Sequence, residues 1–453
     1  MQARHRNGRQ NAARQEAGDP HLWHIRNALA LSFSVAVLGL AGLCWLAWAL
    51  LGAAGLRRHL ALHDAIGVLQ LVFASVAGAG ALVALVVAYR RQKIAEADSA
   101  HDRTRVLNER FTAIAAQFGE VNAAVRLAGL HAMAGLADDW AENRQTCIDV
   151  LCAYLRMPYE PDPGDQADQA TRLEFRAEQQ VRHSAVRLIA DHVRPGARTP
   201  WSGMDFDLTG AVFDGGVYDF RRAQFSGGVV RFNGATFTGG CQFDFFGAEF
   251  SGGLVGFYDA EFSRGLANFY GATFSGGEVG FDRATFSGGL VNFNTARFSG
   301  GAVSFYHATF SGDVRFTGAA FSGSEVSFDG AQFSGGSISF YGTTFSGGDV
   351  SFSGATFSGG LVSFDDATFS GGEVSFNEAT FSGGTVNLRR AAFSGGEVSF
   401  DEATFSGGAV RFNEARDWST PPKFDFRKKT APPGVEFPES ASPSLGAPLA
   451  QDH

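Results

Sequence analysis

The sequence predicts a multidomain chain: an N-terminal transmembrane α-hairpin, a small all-α module, then a long all-β solenoid. Three observations carry this. A twelve-residue unit, F-S-G-G-x-V-x-F-x-x-A-T, repeats almost without variation over residues 208–412. Two long runs without a charged residue, 28–56 and 66–89, lie near the N-terminus. Between the second run and the repeat, residues 94–194 place apolar side chains at helical spacing.

The repeat is the strongest signal. Its anchoring Phe recurs from Phe213 to Phe405 in seventeen units, and all but two of the steps are twelve residues. A short fixed period means a solenoid, because one unit cannot bury its own apolar face. Val398 and Phe400 are two apart and share one side of an extended strand, as do Ala403 and Phe405, so Ser399 and Thr404 point outward. Ser394-Gly395-Gly396-Glu397 and Asp401-Glu402 are then corners, one wide and one tight. Glycine suits a corner because it reaches positive φ without steric cost. A helix is excluded, since two glycines per unit would cost about 2 kcal/mol relative to alanine. A twelve-residue coil is too narrow for two Phe rings beside Val and Ala, so two units make one four-sided coil. Roughly eight coils at about 4.8 Å each give a rod on the order of 40 Å long, with Phe stacked on Phe inside it.

Ala403–Gly407 (A-T-F-S-G) and Val398–Glu402 (V-S-F-D-E) resemble the pentapeptide-repeat pattern of a small residue, a polar one, a central Phe or Leu and two turn residues. Phe400 and Phe405 match the central position; Val398 and Ala403 match the small one. The resemblance implies a right-handed quadrilateral β-helix over residues 204–416. This chain departs from a strict five-residue period by two extra residues at every second corner, so those corners should bulge.

Composition follows the repeat: the chain has 453 residues, 58 of them Gly and 44 Phe, with a net charge of −9. From Met204 to Glu414 there are 22 acidic residues against 10 Lys or Arg, a balance of −12. An acidic solenoid argues against direct nucleic-acid binding, which needs basic stripes. Cys44, Cys147, Cys152 and Cys241 form no C-x-x-C pair, so they are read as reduced and buried.

In chain order, residues 1–27 read as a basic disordered tail with Arg4, Arg6, Arg9, Arg14 and Arg26. The runs 28–56 and 66–89 each exceed the roughly 20 residues that cross hydrocarbon, so they predict two spans joined by a short turn at 57–64, with the bilayer as partner. Arg90, Arg91 and Lys93 follow the second run. The flanking basic residues place both termini in the cytoplasm of a bacterial inner membrane. Residues 90–200 form a cytoplasmic helical linker module: Leu107, Phe111, Ile114 and Phe118 make one apolar stripe, and Ile148, Leu151, Cys152 and Leu155 another. Ala-Val-Arg-Leu occurs at 124–127 and again at 185–188, which suggests stacked helical hairpins. Val125–Trp140 and Arg144–Tyr159 are similar to the linker module of bacterial membrane-anchored pentapeptide-repeat proteins, where it sits between a membrane hairpin and the rod. That family has no general catalytic residues to carry over. After Phe412 the repeat decays, and residues 417–437 are expected to cap the open end, followed by a disordered tail at 438–453.

No constellation for chemistry emerges, so no catalytic, cofactor or metal residues are assigned. Asp365-Asp366 and Asp401-Glu402 pair carboxylates at corners of a convex rod, not in a cleft. Calcium at the Gly-Gly corners would need Asp at a fixed place, yet Glu278, Leu290, Ala302 and Thr385 stand there. His131 and His183 lie on helical patterns. Thr236, Thr273, Thr285, Thr309, Thr344, Thr356, Thr368, Thr380 and Thr404 share one outward position, which raises ice binding against the plainer reading that Thr suits a solvent-facing strand. The expectation is a membrane-tethered, non-enzymatic scaffold presenting its rod to a cytoplasmic protein, with homo-oligomerisation open. The alternative is an acidic DNA mimic acting on a DNA-binding enzyme such as a topoisomerase.

Overall fold

The structure is a computed structural model. It describes residues 62–160, 162–164, 166–426 and 431–439, with a few isolated positions between 34 and 49. The expected tail 1–27, most of the run 28–56, and residues 440–453 lie outside the described residues. The chain divides into two units, residues 1–106 and 107–453.

The expected transmembrane hairpin is overturned. Among the described residues no helix is long and apolar enough to cross a membrane. The run 66–89 does not form a separate span after a turn. It is the first part of one helix, α1 (Leu62–Gln117), which continues through Arg90, Arg91 and Lys93 into a charged half. The middle of the run, residues 74–84, is mostly Ala and Gly, which offer little apolar area per residue. The multi-pass inner-membrane location and the bilayer partner rested on these runs and are corrected with them.

The second unit begins with the end of α1. Leu107 and Ile114 on it, and Phe118 just past its end, are buried. Three further helices follow: α2 (Ala123–Asp139), α3 (Arg144–Arg156) and α4 (Gln169–Val193). Asn122 caps α2 by accepting from the Ala124 amide, and Asp168 caps α4 by accepting from that of Thr171. The echoed Ala-Val-Arg-Leu segments open the first turn of α2 and lie late in α4. Arg126 ties these helices together: its guanidinium donates to Glu178 at 2.8 Å and to the Tyr154 hydroxyl at 3.1 Å, and that hydroxyl donates to Glu178.

From Phe206 the chain is a β-solenoid of about nine turns. Its parallel strands form three sheets of 12, 9 and 10 strands. The first sheet covers two sides of the coil, because several strands run through a wide corner, as Thr368–Ser375 does. The second sheet stacks the Thr-Phe strands of alternate units and the third stacks their x-V-x strands. Phe357 pairs with Phe381 and Phe345 with Phe369, so one turn is two units and has four sides. The regular repeat is therefore 24 residues, as the ring sizes required.

Inside, each turn contributes four Phe side chains to four axial columns. Phe340 stacks on Phe364 at 4.6 Å, Phe352 on Phe376 and Phe357 on Phe381 at 4.8 Å, and Phe345 on Phe369 at 4.9 Å. Across the coil, Phe352 meets Phe340 and Phe364 edge to face at 5.8 Å. Ring quadrupoles favour the edge-to-face contacts, and burial supplies most of the stabilisation. Phe352, Phe357, Phe364 and Phe369 are buried as the alternation requires. Ser351, Thr356, Ser363 and Thr368 face outward but are half-buried, because neighbours one coil above and below flank them.

The two irregular steps are absorbed at wide corners. The thirteen-residue step inserts its extra residue before Gln242–Asp244, which still pairs with Val217–Asp219 and Leu266–Asn268. The eleven-residue step shortens the corner before Asp313–Arg315, which still pairs with Leu290–Asn292. Phe243, Phe245, Val314 and Phe316 are all buried. A slip within a strand would have turned them outward.

Both ends of the solenoid are covered. At the first coil, Arg182 donates to the Val212 carbonyl at 3.3 Å, Gln145 exchanges two hydrogen bonds with the Asp205 backbone, and Arg156 pairs with Asp207. At the other end Phe424 stacks on Phe400 and Phe437 on Phe412, Trp418 packs edge-on to Phe393, and Val435–Glu436 pairs with the third sheet. An open end would expose unpaired strand groups.

Candidate functional site

The surface of the solenoid is built by its corners. In most tight corners, Phe-x-x-Ala (Thr343 replaces the Ala, and Leu208 and Leu388 the Phe), the amide of the last residue donates to the carbonyl three residues back, as from Ala367 to Phe364 at 3.0 Å. The residue before the donor has positive φ. Gly fills it at 342 and 354, but Asp366, Arg390, Glu402 and seven other non-glycine residues also adopt it. Charged residues in this uncommon conformation pair along the axis: Arg283 with Asp259, and Arg390 with Asp366, whose carboxyl is held below its usual range mainly by the Arg390 hydrogen bond.

The wide corners use glycine for a second reason that the sequence did not reveal. A Cβ on Gly371 would lie 2.6 Å from the Ser346 carbonyl oxygen, and one on Gly372 only 2.1 Å from that of Gly348. The backbones of successive coils touch there. Gly372 also has φ +74°.

Coiling sorts the outward residues by side. The nine threonines do not share one face: Thr236, Thr285, Thr309, Thr356, Thr380 and Thr404 lie on the second sheet, while Thr273, Thr344 and Thr368 lie on the first. Glu261 and Gln332 interrupt the longer rank. A continuous flat Thr array is thereby lost. On the first sheet Asp349, Glu373 and Glu397 stand exposed and in register on consecutive coils, with Glu325 one coil before them. Lys423 pairs with the last of the row. The third sheet carries a different ladder, in which Asn292 donates to Asn268 and Asn268 to Asp244. Exposed aromatics occupy tight corners: Phe246, Tyr258, Tyr270, Tyr306 and Tyr341. Phe246 and Tyr270 stack at 5.5 Å, and the Arg283 guanidinium covers the Tyr258 ring at 4.4 Å.

The residues weighed for chemistry remain apart. Asp365 accepts from the Arg389 amide and Asp366 from Arg390, which uses both carboxylates within the corner ladder. The Asp401 amide donates to Asn377, while Glu402 is exposed. His131 is exposed on α2. Among the described residues no group of three His, Cys, Asp or Glu side chains is placed to hold a metal ion. The lining of a small cavity beside the thirteen-residue step includes Phe237, Cys241, Phe243, Phe262 and Ala267. Bulky Phe243 and small Ala267 are register partners there, in successive coils where Val is usual.

Burial raises the Cys147 thiol to about 11 and those of Cys152 and Cys241 to about 12. Only the thiolate is nucleophilic, so these three should resist a thiol reagent at pH 8 in the folded chain and react on unfolding. Site-resolved mass spectrometry checks this; labelling of Cys152 or Cys241 in the native protein would contradict the packing described.

The model for pentapeptide repeats (9 copies) matches residues 316–368, 336–391 and 364–416. The solenoid belongs to the pentapeptide-repeat family. Neither a curated protein nor a solved structure matches the chain. In the pentapeptide-repeat solenoid the register of the second sheet is 24 residues at each step from Gln332 onward, within the matched residues.

Proposed function

We propose that this protein is a non-enzymatic scaffold whose solenoid presents its sides to a protein partner. Pentapeptide-repeat solenoids commonly mediate protein interactions. The observation that carries the reading here is the sorting of outward residues: one side bears an acidic row, another a Thr rank, a third an Asn ladder, and the corners bear aromatics. A regular backbone with differently decorated sides suits selective docking of a folded partner. No observation favours the acidic DNA-mimic reading over it.

The test places a photo-crosslinking amino acid singly at Glu373, Thr368, Thr356, Leu361 and Tyr341, which sample the four sides and one corner. In cells that make the full chain, one position or two adjacent ones should give a discrete adduct with another polypeptide. Uniform labelling from all five, or none from any, would contradict the proposal.

A further inference from the structure

We propose that His183 is a pH-sensitive clasp between the helical module and the first coil of the solenoid, so that acidification releases α4 from the coil. The seat is specific. The ring lies where a side chain on Gly216 would be: a Cβ there would fall 2.0 Å from the His183 Cε1. Gly216 itself has φ +66°. The ring packs edge-on to Tyr218 at 4.6 Å. Its Nε2 is buried and has no hydrogen-bond partner.

A proton on Nε2 would place a cation on a buried nitrogen that makes no hydrogen bond, and the Asp214 and Gly215 backbone groups that favour the protonated ring do not outweigh its burial. Such a cation is costly and must regain water. The charged and titratable groups around the ring do not remove this cost. From α4 itself comes Arg182, a buried guanidinium that donates to the Leu155 and Val212 carbonyls and disfavours a second positive charge. The first coil contributes Tyr218 and the Asp214 carboxylate, which does favour protonation but is already bonded to the Asp162 amide at 2.8 Å. The loop before α4 contributes Tyr159, whose ring lies under Arg182 at 4.5 Å. Burial prevails over the Asp214 and Gly215 groups and holds the imidazole below its ordinary value of 6.5.

The linkage follows from that direction. A base that binds its proton less readily when folded contributes its full share above its unfolded pKa. That share is lost as pH falls through the unfolded value toward the folded one. A second imidazole, His192 in the last turn of α4, lies 3.2 Å from Asp138, and the His183→Phe comparison separates its contribution from that of the clasp.

Amide hydrogen exchange of the full chain, corrected for intrinsic rates, tests the proposal at pH 7.5 and 5. Residues 179–193 should exchange several-fold faster at the lower pH, release coupled to one proton changing the rate by at most about tenfold per pH unit. His183→Phe, which fills the seat and cannot titrate, should stay protected at both. An equal acid response in His183→Phe would overturn the clasp. Should that variant lose protection at pH 7.5, ring NMR of the unaltered chain decides: His183 titrating at or above its ordinary value overturns the proposal, and titration below it together with the acid-induced exchange supports it.

Discussion

Gly372→Ala should destabilise the solenoid by roughly 3 kcal/mol or more. Two costs combine. The residue sits at φ +74°, a conformation an alanine adopts only with strain. The new Cβ would also stand 2.1 Å from the Gly348 carbonyl oxygen of the coil beneath, and that atom is backbone within a continuous ladder, so it cannot swing aside. Relief requires the two coils to separate locally, which breaks pairing on both flanks of the corner. Gly280→Ala is the control, since nothing lies within 4 Å of its Cβ position and its φ is not positive. That change should stay within about 0.5 kcal/mol. Thermal and denaturant unfolding of the two variants checks the pair; equal losses would remove close backbone approach as the reason for the Gly-Gly corner.

Phe364→Ala should cost about 3–5 kcal/mol. The ring is fully buried, stacks on Phe340 at 4.6 Å, and meets Phe352 and Phe376 edge-on at 5.8 Å. Its neighbours are pinned in their own columns and paired backbones, so the cavity cannot collapse. Thr368→Ala, on the outer surface four residues later, should cost less than about 1 kcal/mol. Urea unfolding midpoints at constant slope compare them. A solenoid can lose cooperativity between coils, so a changed slope in Phe364→Ala would mean that the loss stays local to the neighbouring turns.

The coil was legible in the sequence because its causes are local. Two-residue alternation fixed which Phe face inward, and ring size fixed two units per turn. Both irregular steps could be placed at corners because the strand pattern resumed in phase at Phe243 and Val314. The second role of the glycines was not legible, since it depends on an atom 24 residues earlier. Nor was the sorting of the surface: Thr356 and Thr368 occupy the same place in the repeat but lie on different sheets, and the acids at 349, 373 and 397 become a row only after coiling. The His183 seat needed the meeting of a helix with Gly216, which no local pattern encodes. The membrane expectation failed for a different reason. It treated an uncharged run as a bounded span, whereas residues 66–89 belong to a helix that continues to Gln117.

Disulfide trapping measures the 24-residue turn most directly, and the placement of every surface residue depends on that turn. Thr356 and Thr380 are register partners on adjacent parallel strands of the second sheet. Such strands lie about 4.8 Å apart, within the Cα range that a disulfide bridges. Thr356 and Thr368 hold equivalent places in consecutive units but belong to different sheets. In the folded full-length chain, Thr356→Cys with Thr380→Cys should oxidise to an intramolecular disulfide, and Thr356→Cys with Thr368→Cys should not. Efficient cross-linking of the twelve-residue pair, with none for the twenty-four-residue pair, would contradict the four-sided coil and the sorting of surfaces built on it.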